Sequence, residues 1–380
     1  MLLRNQVFID NEGQSVFFWG PRQTGKSTLL KNLFADALWF DLLLSDLYKR
    51  LLINPEYLRE TILAQEKKTV VIDEIQRIPI LLNEIHWLIV NHGIQFILSG
   101  SSPRKIMRSG ENLLGGRALR YELFPLVSHE IPDFDLLRAL NHGLLPKHYL
   151  SENPKKLISA YIGRYLQDEI VAEAKIRNID VFAKFLGAAA FSNGEIVNYT
   201  NIATECGVSS PTIKEYFQIL EDTLVGRFVP VFQKKPKRRV IKAPKFYYFD
   251  VGVTNYLLKR SKIELGTEQF GNAFESFILQ ELLAHSHYSG MEYAISYWRT
   301  ASQLEVDFIL GNHEVAIEVK GSKNVNNAHL KGLKAFMEEY QVKKSLVVCN
   351  ESFPRIVDGI EILPYSVFLK RLWAGAIMQE

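Results

Sequence analysis

In the run GPRQTGKST, Gly20, Gly25, Lys26 and Ser27 fit the spacing G-x-x-x-x-G-K-[ST]. Each of these residue types has a physical task around a polyphosphate. The glycines let backbone N–H groups close around phosphate oxygens, a lysine ammonium reaches the β and γ phosphates, and a serine hydroxyl supplies an oxygen to Mg²⁺. The loop and the helix start behind it, Gly20, Pro21, Arg22, Gln23, Thr24, Gly25, Lys26, Ser27 and Thr28, are therefore expected to line a site for ATP. Hydrolysis needs two more groups: a carboxylate behind the Mg²⁺ shell and another that polarises water. TVVIDEIQ offers Asp73 for the first and Glu74 for the second. Two acids after an apolar strand also occur as a plain solvated strand end, and it is the loop upstream that favours the chemical reading.

Further groups suit the γ-phosphate. QFILSGSS ends in hydroxyl residues, so Ser99 or Ser101 is positioned to sense it, with ordinary turn chemistry as the competing reading. In NLLGGRALRYELFP, Arg117 follows two glycines and precedes a strand-like run. An arginine there suits the stabilisation of charge on a transferring phosphoryl group, from its own chain or a neighbour. Arg22 and Arg104 compete for the role, and a solvated loop arginine is the plain alternative. If Arg117 works on a neighbour, a homo-oligomer follows.

A second constellation lies in SQLEVDFILGNHEVAIEVKGS, which reads as a hairpin with Asn312 and His313 at its tip. That register sets Asp307 opposite Glu318 and Glu305 opposite Lys320, with all four on one side and Val306, Phe308, Ile317 and Val319 on the other. Acids beside a lysine can hold Mg²⁺ and activate a water for phosphodiester attack. The competing reading is a charge ladder on an exposed strand. His285 and His287 have no third ligand at suitable spacing and are read as structural.

The elements that must position these groups follow from periodicity. SVFFW, TVVID and QFIL are short apolar runs of the kind found in buried parallel strands, and LLKNLF continues the phosphate loop as a helix. From about Phe134 to Ala190 the pattern is helical; in KKLISAYIGRYLQDEIVAEA, Leu157, Tyr161, Ile162, Tyr165, Leu166 and Ile170 fall close to one face. NYTNIATECGVSSPTIKEYFQILEDT then outlines a helix-turn-helix: a short helix, Gly207 as the turn, Ser210 as N-cap and Pro211 at the first helical position. Ile213, Phe217 and Leu220 would pack inward and leave Thr212, Lys214, Glu215 and Gln218 for a major groove. In RFVPVFQKKPKRRVIKAPKFYYF two strands flank a loop carrying Lys234, Lys235, Lys237, Arg238, Arg239, Lys242 and Lys245 with no acid among them. Such a basic run fits a wing lying along a nucleic-acid backbone, or else a solvated loop.

GPRQTGKST, VVIDEIQ, LSGSS and GGRALRYELFPL, in this order, resemble the AAA-superfamily ATPases of bacteria and archaea whose C-terminal region was long labelled as of unknown function. The resemblance runs nearly to the end of the chain. It implies an ATP-binding core with Lys26, Ser27, Asp73 and Glu74 in the roles above. Asp307, Glu318 and Lys320 resemble the PD-(D/E)xK nuclease signature, which implies that Glu275, on the helix NAFESFILQELL, completes a metal shell with Asp307 and Glu318. The reading is thus an α/β chain: a P-loop ATPase core with a parallel sheet over residues 1–133, a helical lid or connector over 134–190, a winged-helix DNA-binding module over 191–250, and an α/β restriction-endonuclease-like domain over 251–380. ATP and Mg²⁺ are its cofactors. DNA, met by Lys214, Gln218, Lys234, Lys235, Lys237, Arg238 and Arg239, is its partner. The rival is a nucleotide-dependent switch whose nuclease-like fold is silent.

Bulk composition sets outer bounds. The chain has 380 residues, too many for one ordinary core, and 47% of them are hydrophobic. The net charge of +3 is too small to imply a nucleic-acid partner, so local clustering carries that expectation. Cys206 and Cys349 cannot build a disulfide framework, and no stretch of about 18 uncharged apolar residues occurs, so a cytoplasmic protein with no membrane partner is expected.

Overall fold

Ser15–Trp19, the apolar run before the phosphate loop, is a strand with every residue buried. The computed structural model describes residues 3–6, 8, 13–108, 114–166, 178–234, 238 and 240–379. They divide into two units, one made of residues 6–125 with 222–224, the other of residues 1–5, 126–221 and 225–380. Ile170 of the connector and Lys235, Pro236, Lys237 and Arg239 of the basic segment lie outside the described residues.

The first unit is built on a five-stranded parallel sheet. Its strands are β1 (Ser15–Trp19), β2 (Leu38–Asp41), β3 (Thr69–Asp73), β4 (Gln95–Gly100) and β5 (Ala118–Glu122), in the order β2-β3-β4-β1-β5. Strands covered on both faces need unbroken apolar runs, which is what VVI and FIL supply. Val70, Ile72, Phe96 and Leu98 are fully buried, in one cluster with Leu81, Ile85 and Leu88 of the helix Leu81–His92. Parallel pairing brings the carboxyl ends of β1, β3 and β4 to one edge, with Asp73 opposite Ser99 and Trp19 opposite Gly100.

The second unit contains β6 (Glu195–Ile196), β7 (Gly226–Val229) and β8 (Lys245–Tyr248), an antiparallel sheet in the order β6-β8-β7. Beside it lie the helices Ile179–Phe191, Tyr199–Cys206 and Ser210–Asp222; the second ends at Gly207 in the left-handed conformation. Ile213, Phe217 and Leu220 are buried as their spacing requires, and Lys214 and Gln218 are exposed. The cap differs from expectation. The Oγ of Ser209, not Ser210, accepts the N–H of Thr212 at 3.4 Å, so Ser210 is the first helical residue and Pro211 the second. In the connector, Ile158, Tyr161 and Ile162 form the buried stripe, while Leu157, at its margin, is 37% exposed.

The remaining strands, β9 (Ile295–Arg299), β10 (Glu305–Leu310), β11 (Val315–Val319), β12 (Lys344–Cys349), β13 (Arg355–Val357) and β14 (Ile360–Pro364), form a mixed sheet in the order β13-β14-β12-β11-β10-β9. One face packs with the helices Glu268–Tyr288 and Tyr365–Trp373, the other with Lys331–Glu339. The β10–β11 ladder pairs Phe308 with Ile317 and Leu310 with Val315, in the register the hairpin reading requires. Strict alternation fails along β10 itself. Asp307 and Phe308 together stand opposite the single residue Tyr297 of β9, a bulge. Val306 consequently packs with Trp298 and Ile309 on one side of the sheet, and Phe308 with Ile317 on the other; the expected grouping of Val306 with Phe308 is corrected by that extra residue.

The helix Lys331–Glu339 lies flush on β10: a Cβ on Gly332 would fall 1.7 Å from the carbonyl oxygen of Glu305. Gly332→Ala is expected to destabilise the chain by about 1–3 kcal/mol in urea unfolding followed by circular dichroism. Gly271→Ala, in the helix Glu268–Tyr288 and with nothing within 4 Å, is the control. It should be neutral or stabilising by up to about 1 kcal/mol.

Candidate functional site

The phosphate loop turns from β1 into the helix Lys26–Leu33, whose N-cap Gly25 has φ 97°. The Lys26 ammonium is buried and donates to the carbonyls of Gly20 at 2.6 Å and Pro21 at 3.1 Å. Burial lowers its pKa to about 8, a shift that Glu74 and Asp73 partly offset. Thr24 is buried and its hydroxyl closes the turn on the Pro21 carbonyl at 2.8 Å, whereas Gln23 and Thr28 are exposed. Opposite the loop, Ser27 Oγ donates to Asp73 Oδ2 at 2.6 Å, and Ser99 Oγ donates to Asp73 Oδ1. Four of the sequence-predicted residues, Lys26, Ser27, Asp73 and Glu74, therefore meet at one strand edge.

Glu74 follows β3 at φ 63°, in the left-handed region. Its carboxylate accepts from the Nε2 of Gln76, which also donates to Ser101 Oγ at 3.0 Å. Ser99 thus serves the Asp73 carboxylate and Ser101 the Glu74 network. Gln76 is 2% exposed and its buried carbonyl oxygen has no hydrogen-bond partner. It was not singled out in the sequence, although it stands in VVIDEIQ; its signal is a polar residue three positions past a buried strand end. A Cβ on Gly100 would lie 2.2 Å from that oxygen and 2.5 Å from the Trp19 ring, so a glycine is needed there. Among the arginines, Arg117 is exposed before β5, and Arg104 is 1% exposed and pairs with Asp222, which removes it from the competition for the transferring phosphoryl group.

The second cluster gathers around β10 and β11. Asp307 Oδ2 accepts the N–H of Val319 at 2.7 Å. Lys320 Nζ lies 2.5 Å from Glu318 Oε1 and 4.0 Å from Asp307 Oδ2. Burial, and then the neighbouring Asp307, raises the Glu318 pKa to about 8. Burial opposes the charge of Lys320, but Asp307 and Glu318 outweigh it and hold the ammonium above its usual range. Glu318 Oε2 is buried without a hydrogen-bond partner, so the Asp307–Glu318 pair has an unused acceptor that suits a hard cation.

Glu275 is committed elsewhere. Its Oε1 accepts the Tyr247 hydroxyl at 2.5 Å and lies 3.3 Å from Lys245 Nζ. Among the described residues no group of three or more His, Cys, Asp or Glu is arranged to hold a metal ion, so Glu275, Asp307 and Glu318 are not brought together as the expected shell. Glu305 is also placed differently: it pairs with Lys245 at 2.5 Å and with Arg299 at 3.3 Å in place of Lys320.

Two members of the basic segment are likewise reassigned. Lys245 is 3% exposed, because alternation along β8 turns Phe246 and Tyr248 into the helical core and Lys245 and Tyr247 toward the acids. Arg238 is held by Glu338, by Glu339 at 2.7 Å and by the carbonyl of Ala335 at 2.9 Å, so it does not offer a bare guanidinium to a phosphate backbone. Lys234 and Lys242 are exposed. His285 is buried with its Nδ1 at 2.9 Å from the Tyr293 hydroxyl, a structural partner.

Comparison with known proteins divides the chain in three. Residues 12–132 match an AAA domain, 133–264 a domain of unknown function (DUF8612), and 270–368 another domain of unknown function (DUF4143). The chain is similar to the uncharacterized protein Rv2008c of Mycobacterium tuberculosis, 24% identical over 319 residues, covering 80% of this chain and 70% of that one. It is also similar to the uncharacterized protein MJ1544 of Methanocaldococcus jannaschii, 24% identical over 398 residues, covering 91% and 86%. No helix among the described residues is long and apolar enough to cross a membrane. The AAA match, over a five-stranded parallel sheet with this loop at its edge, supports an AAA-like P-loop ATPase.

Proposed function

We propose that the chain binds and hydrolyses ATP at the edge of the parallel sheet, and that nucleotide state controls a second unit that acts on DNA. The observation that carries the first half is the Ser27–Asp73 hydrogen bond at 2.6 Å. It joins the end of the phosphate loop to the end of β3, and it readies a hydroxyl and a carboxylate for a common Mg²⁺. Bound there, Mg²⁺ supplies charge neutralisation on the phosphates. The chain's own groups do the rest. Lys26 is already stripped of water and poised to exchange two loop carbonyls for phosphate oxygens. Gln76 holds the Glu74 carboxylate so that it can take a proton from an attacking water. Arg117, exposed on its Gly-Gly turn, and Arg22, within the phosphate loop, are the arginines left to meet the transferring phosphoryl group from their own chain or a second copy.

The second half is supported by the helices Tyr199–Cys206 and Ser210–Asp222 followed by β7 and β8, the order of a winged helix. The exposed Lys214, Gln218, Lys234 and Lys242 are its candidate contacts. The Asp307, Glu318 and Lys320 cluster supports phosphodiester chemistry on that nucleic acid. One observation favours the rival reading, a nucleotide switch with a silent nuclease-like fold: the third acid, Glu275, is already occupied by Tyr247 and Lys245.

Lys26→Ala should abolish ATP binding in calorimetry. Glu74→Gln should retain binding while turnover falls by about 100-fold or more; unchanged turnover would remove Glu74 as the base. Mg²⁺- or Mn²⁺-dependent cleavage of DNA and RNA should be lost in Asp307→Ala and Lys320→Ala, and equal residual activity in all three chains would favour the switch. Because the folded-state pKa of Glu318 lies near 8, above the ordinary carboxyl value of 4.5, the acid is mostly protonated at pH 7. Metal uptake at this pair should then rise by up to about tenfold per unit toward pH 8 and level off above it in a Mn²⁺ titration. The sign for stability is opposite: without metal, the raised pKa makes the fold lose stability between pH 4.5 and about 8 as pH rises. In a fluorescent DNA titration, affinity should fall with salt, and Lys214→Ala should reduce the slope of log K against log salt by about 0.9.

A further inference from the structure

Lys245 is the charged group for which the hydrolytic readings above have no use. It comes from β8, outside the β10–β11 hairpin, and its ammonium lies 2.5 Å from Glu305 and 3.3 Å from Glu275, with the Tyr297 ring centroid at 5.5 Å. Only 3% of its side chain is exposed. Burial works against its charge, yet Glu275, with Tyr247, Asp307 and Glu305, holds the ammonium well above its usual range. An ion so placed cannot leave without being rehydrated, and its departure would strand two carboxylates.

Charge counting leads to the same place. With Glu318 ionised, as metal uptake requires, the acids Glu275, Glu305, Asp307 and Glu318 face the cations Lys245, Arg299 and Lys320, four negative groups against three positive. One divalent ion would carry the cluster just past neutrality, and a second would leave it strongly positive. Glu318 Oε2 has no partner, while Glu275 Oε1 has two and Glu305 has one on each oxygen.

We propose that Lys245 is a resident cation of this site: its ammonium stands where a second divalent ion would bind, Glu275 and Glu305 hold it there, and a single divalent ion is taken by Asp307 and Glu318. The inference rests on reading the cluster as a phosphodiester-directed site. It makes Lys245 a positioning residue, supplying from β8 a fixed positive charge that needs no loading from solvent.

The test is Mn²⁺ binding by the full chain without nucleotide, followed by electron paramagnetic resonance and taken as the difference from Asp307→Asn. The wild type should bind one ion, and Glu275→Gln should shift its affinity by no more than about threefold, since Glu275 is not a ligand. Lys245→Gln should take up a further ion or bind at least about tenfold tighter, and Glu275→Gln in that background should reverse the gain. The proposal is overturned if Glu275→Gln weakens wild-type binding as much as Asp307→Asn does, or if folded Lys245→Gln binds Mn²⁺ as the wild type does. Should Lys245→Gln not fold, the comparison of Glu275→Gln with Asp307→Asn decides by itself. Failure of the underlying reading looks different: a chain that shows the expected Mn²⁺ pattern and cleaves no nucleic acid keeps Lys245 in this role and loses the nuclease.

Discussion

A buried lysine among carboxylates is tolerable only if each charge finds a partner in fixed geometry, and that demand organises the C-terminal part of the chain. Lys245 lies between Glu275 of the long helix and Glu305 of β10, so three elements far apart in sequence meet at one ammonium. Desolvating a charge costs several kcal/mol, and only partners this close offset it. The Tyr247 hydroxyl, two residues along β8, completes the enclosure on Glu275. The arrangement makes β8 serve two masters: alternate residues fill the core of the helix-turn-helix segment and the acid cluster.

The nucleotide-binding edge works by a related logic with fewer charges. Lys26 is desolvated by its own loop and satisfied by neutral carbonyls, which phosphate oxygens can outcompete because they are charged. Asp73 is satisfied by two serine hydroxyls from neighbouring elements. In both places a charge is held by partners that define its direction. The difference lies in the partner: neutral carbonyls hold Lys26, whereas carboxylates hold Lys245.

How much of this could be read beforehand depends on the range of the interaction. That Lys26, Ser27, Asp73 and Glu74 meet at one strand edge was legible because their placement is set by local spacing and by the ends of strands whose apolar runs are unmistakable. The β10–β11 register was legible for the same reason, since a turn centred on Asn312 and His313 fixes every pair beyond it. What the residues did not disclose is where Lys245, Arg238 and Glu275 spend their charge. A run of lysines and arginines looks uniform in one dimension, and only the fold separates the buried Lys245, the paired Arg238 and the exposed Lys234. Gln76 and Ser209 escaped for a smaller reason: each lies one or a few positions beside a residue that fits the expected role equally well by type.

The doubled residue in β10 makes chain length, more than side-chain identity, the sensitive variable at this hairpin. A two-residue repeat without the interruption would put residue 307 on the same side of the sheet as Ile309, in hydrocarbon, and not against the Val319 amide. Insertions or deletions in β10 would therefore erase the carboxylate's placement wholesale, so descendants of this chain should drift in composition here long before they drift in spacing.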